Sequence, residues 1–73
     1  MNRTNETRQW LISTALSQYE KHLKSARCAI IHASVFRDDG DMEAARYFLD
    51  NARHYREMAI EWKARYRKAL AKQ

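Results

Sequence analysis

The chain has 73 residues, with no Pro and a single Gly, and its 14 Lys and Arg against 9 Asp and Glu give a formal charge of +5. That length allows one domain, residues 1–73, near the lower size at which a chain folds alone, and the lone Cys28 excludes an intrachain disulfide framework. No apolar run approaches the roughly 20 residues of a membrane span, and the polar start Met1 to Glu6 lacks the apolar region of a signal peptide, so a cytoplasmic protein is expected.

Asn2, Thr4 and Asn5 are good N-cap types and Glu6 places a negative charge nearby, so a first helix is expected over about 4–37. Asp38-Asp39-Gly40-Asp41 then supplies turn chemistry, with Gly40 free to take a positive φ and Asp41 able to cap a second helix. Good helix formers fill that second helix over about 42–71. The expected fold is all-α, an antiparallel, coiled-coil-like two-helix hairpin with arms of roughly 45–50 Å.

Apolar spacing sets the register. Ile12, Leu16, Tyr19, Leu23, Ala26, Ile30 and Ala33 step by fours and threes, as do Ala45, Phe48, Ala52, Tyr55, Ala59, Trp62 and Tyr66. Folding at Gly40 pairs Ala33 with Ala45, Ile30 with Phe48, Ala26 with Ala52, Leu23 with Tyr55, Tyr19 with Ala59, Leu16 with Trp62 and Ile12 with Tyr66.

Such a hairpin leaves apolar surface uncovered. Cys28, Ile31 and Val35 point away from the expected seam, and Trp10, Leu11 and Leu70 cluster at the open end; these are the expected contacts for a protein partner. Ala15, His22, Ala29 and Phe36 on the first helix, with Ala44 and Met58 on the second, form an apolar flank suited to self-association. A homodimer, closed as a four-helix bundle, is the expected assembly.

Chemistry is sparse. Cys28 and His32 lie four apart on one helix face, as two metal ligands would, but an ordinary Cys near a His explains them as well. A nucleophilic Cys28 has no placed base or strand-turn-helix elbow. The acidic turn is too short for a calcium loop, which needs twelve residues with a closing Glu. No enzyme activity, cofactor or metal is therefore expected. The basic residues Arg53, Arg56, Lys63, Arg67 and Lys68, joined by Lys21, Lys24 and Arg27, would suit a stripe that tracks phosphates. The leading expectation is a protein-binding adaptor or inhibitor, and the alternative is a small RNA- or DNA-binding helical-bundle regulator.

Ala33, Phe36, Gly40, Ala45, Leu49 and Ala52 fall at the spacing of one tetratricopeptide repeat hairpin, which this stretch of about 20 residues resembles. The resemblance implies tight hairpin geometry near the turn. A long first arm and the lack of a second repeat depart from that family. In size, charge and architecture the chain also resembles the small helical early proteins of lambdoid phages, which implies an accessory modulator of a host process, acting in the host cytoplasm.

Overall fold

The computed structural model describes the backbone of residues 2–71 and the side chains of residues 6–71. Helix α1 runs Asn2–Asp38 and α2 runs Met42–Ala71, packed against each other as a rod of 59 × 13 × 11 Å. Because α1 begins at Asn2, Thr4 and Asn5 lie within the helix and Glu6 falls beyond its first turn.

The turn closes as its chemistry requires. Gly40 sits at φ 85°, the left-handed conformation that costs a residue with a Cβ. Its N–H donates to the Arg37 carbonyl at 3.0 Å, and the Asp41 N–H donates to the Phe36 carbonyl at 2.9 Å. This pair of bonds is the Schellman arrangement that satisfies the last carbonyls of a helix. Asp41 then caps α2, its Oδ1 accepting the Ala44 N–H at 3.1 Å.

On α2 the buried residues are Ala45, Ala52 and Ala59, with Phe48, Tyr55, Trp62 and Tyr66 half-buried beside them. This is the expected seam. On α1 the buried residues are Ala15, Ala26, Ala29 and Ala33, while Leu16 is 38% exposed and Ile30 46% exposed. At about 100° per residue, α1 is turned by roughly 50–60° from the expected facing. Phe48 therefore stacks on Phe36, with centroids 5.4 Å apart and planes 7° apart, and meets the His32 ring at 5.2 Å, in place of the expected Ile30. The physical reason is size. Among the described residues seven alanines are the buried hydrophobic ones and no large side chain is fully buried, so the backbones approach closely along an Ala line that Leu16 and Ile30 would force apart.

Candidate interaction surfaces

The rod has two long flanks, one on each side of the Ala line. The first carries two clefts. At the open end, Thr7, Leu11, Thr14 and Ala15 of α1 face Trp62 and Arg65 of α2 around a cleft of about 810 Å³, with Trp10, Arg8 and Lys68 on its rim. The Arg65 guanidinium lies 4.4 Å from the Trp62 ring centroid, a stacked cation. Nearer the turn, Ser25, Cys28 and His32 face Phe48, Asn51 and Tyr55 around a cleft of about 320 Å³. The Cys28 thiol is exposed there. Among the described residues no group of three or more His, Cys, Asp or Glu is placed to hold a metal ion, and no helix is long and apolar enough to cross a membrane.

The fold brings the expected partner-binding residues together only in part. Trp10 and Leu11 meet in the open-end cleft, joined by Trp62, whereas the helical phase of Leu70 places it on the opposite flank. Ile31 and Val35 are exposed on the outer side of α1, with Ile31 at 61%, and the exposed Cys28 lies between that side and the cleft near the turn. The expected self-association set is corrected at two positions. Ala15 and Ala29 are buried between α1 and α2 at the floors of the two clefts, because the turned α1 brings them into the hairpin. His22, Phe36, Ala44 and Met58 remain half-buried along the cleft flank. The His22 ring is held there by its Nδ1–H, which donates to the Gln18 carbonyl at 2.7 Å.

The basic stripe is likewise split. Arg53, Arg56, Lys63 and Arg67 are exposed on the second flank of α2, and the Lys63 Nζ lies 5.7 Å from the Tyr19 ring centroid on α1. Lys68 turns to the other side and lines the open-end cleft. Leu49 and Ile60 are exposed among the flank's cations, and on the same flank the turned α1 presents Leu16, half-buried Leu23 and Ile30. This mixed basic and aliphatic flank was missed from the sequence because its α1 residues were assigned to the seam. Their spacing of seven, beside the competing Ala15 and Ala29 line, was the available signal.

No protein-family model, curated protein or solved structure matches the chain.

Proposed function

We propose that the chain is a non-enzymatic protein-binding adaptor or inhibitor that acts through helix surfaces and assembles as a homodimer, closed into a four-helix bundle. The observation that carries this reading is the inversion of size across the hairpin: among the described residues the buried ones are alanines, whereas Trp10, Leu11, Ile31, Val35 and Ile60 stand about half or more exposed. A hairpin so thin contributes little stability from its own core, and bulky apolar side chains left wet mark surfaces that other protein covers. The candidate contacts are the outer patch of Cys28, Ile31 and Val35, the open end with Trp10, Leu11 and Leu70, and for self-association the half-buried His22, Phe36, Ala44 and Met58. The likeness in format to early phage proteins adds modulation of a host process to this reading.

A nucleic-acid-binding role is the second reading, favoured by the alignment of Arg56, Lys63 and Arg67 along one flank. Capture from cell lysate with and without nuclease separates the two. A protein retained after nuclease treatment, and lost when apolar surface residues are replaced by Asp, is the expected result. Retention that disappears with nuclease would overturn the protein-binding reading.

A further inference from the structure

The basic flank combines two features that rarely serve one ligand unless that ligand is itself two-sided. Its α1 side is aliphatic: exposed Leu16 and Ile30 and half-buried Leu23 recur at steps of seven, so they stand in line down a straight helix face. That line is about 21 Å long, or four helical turns. Its wall on α2 is cationic, with Arg53, Arg56, Lys63 and Arg67 exposed and Ile60 65% exposed between them. Arg27 adds a cation from α1, and Glu20 on α1 and Glu57 on α2, the latter four residues from Arg53, are the carboxylates that helical phase places at its edges among the described residues. We infer that this flank is a docking groove for an acidic amphipathic helix of another protein, about four turns long, whose apolar stripe lies on Leu16, Leu23 and Ile30 while its carboxylates face Arg56, Lys63 and Arg67.

Charge selects the occupant. A second copy of this chain on the same flank would set Arg against Arg. In a parallel two-fold pair Arg56 faces its own counterpart, and in an antiparallel pair Arg53 and Arg56, near mid-rod, meet the same two residues again. Like charges in that position are destabilising. A nucleic acid would satisfy the cations but leave Leu16, Ile30 and Ile60 against phosphate or water. The half-buried Tyr19, beneath Lys63, is not free to stack on bases. An acidic helix answers both halves of the surface, in the helix-in-groove mode read as apolar anchors at steps of three, four and seven.

The inference rests on the protein-binding reading above and assigns its contact to a flank the sequence did not reveal. The test uses the full chain and a fluorescent helical peptide of about 18 residues made of Leu, Ala and Glu, with Leu at steps of three and four and Glu beside them. Its comparison probes are a scrambled peptide of the same composition, a Lys-for-Glu peptide and a single-stranded RNA. Binding of the Glu peptide is expected to weaken at least roughly tenfold on scrambling or on Lys replacement. It should weaken similarly in Ile30→Asp and in Arg56→Glu combined with Lys63→Glu, with Tyr47→Asp, exposed away from this flank, unaffected and helicity by circular dichroism unchanged throughout. Equal binding of the scrambled peptide would overturn the inference, as would RNA bound through Arg56 and Lys63 but indifferent to Ile30→Asp. If Ile30→Asp halves the hydrodynamic mass, the flank is a self-association face and the inference falls. A lysate protein that survives nuclease and is lost with Ile31→Asp but not with Ile30→Asp would sink the groove while leaving the protein-binding reading intact.

Discussion

Gly40 and Asp41 do different work within two neighbouring residues. At Gly40 an added Cβ meets nothing within 4 Å, so the cost of a side chain there is backbone strain at φ +85 and not collision. Gly40→Ala should therefore destabilise by about 1–2 kcal/mol, the usual penalty for a left-handed residue with a Cβ. Asp41→Ala removes the bond from the Ala44 N–H and should cost about 0.5–2 kcal/mol, with Asp41→Asn retaining most of it. Urea titrations of the three variants check both statements. A neutral Gly40→Ala would mean that the chain does not turn in the left-handed conformation.

The helices differ in how much of their placement the sequence disclosed. For α2 one apolar line exists, Ala45 to Tyr66, and it is the line that packs. For α1 two lines compete. Both contain Ile12, Tyr19, Ala26 and Ala33, and they differ in choosing Leu16, Leu23 and Ile30 or Ala15, His22 and Ala29 between them. Hydrophobicity alone favours the larger residues. Close approach against an Ala line on α2, with Phe36 free to stack on Phe48, favours the smaller ones. The hairpin and the packing line of α2 were thus legible, and so was the exposure of Cys28, Ile31 and Val35. The rotation of α1 was not, and with it went the clefts and the content of both flanks.

That rotation has a direct thermodynamic signature. Double-mutant cycles should give a coupling of about 0.5–1.5 kcal/mol between Phe36→Ala and Phe48→Ala, as for stacked aromatic pairs. Ile30→Ala and Phe48→Ala should be nearly additive, and Ile30→Ala alone should cost less than about 1 kcal/mol, since half of that side chain is already in water. A stronger coupling of Phe48 to Ile30 than to Phe36 would restore the expected facing and dissolve the basic, aliphatic groove with it.

At the scale of the whole molecule the question is what stabilises a rod only 13 × 11 Å across. Its buried hydrophobic residues are alanines, and each contributes far less than a buried Leu or Phe. The proposed self-association would supply the missing burial, and the two flanks are not equivalent for it. The basic flank repels its own copy through Arg53 and Arg56. The cleft flank carries the neutral residues Gln18, His22 and Ser25 on α1 with Asn51 and Met58 on α2 at mid-rod, with Lys24 at the edge of one cleft, and it has concavities on both sides of them. The proposed dimer therefore closes over the cleft flank, and its stability is tied to concentration by mass action. Sedimentation is expected to give a mass near twice that of the 8.7 kDa chain, and the melting temperature should rise over a roughly hundredfold increase in concentration. Met58→Asp, half-buried on that flank, should lower the mass to that of one chain, whereas Ile60→Asp on the other flank should leave it unchanged. A wild-type chain that sediments as a monomer and melts at the same temperature across that range would remove the dimer. Adhesion to a foreign helix would then be the one remaining way to cover the exposed side chains.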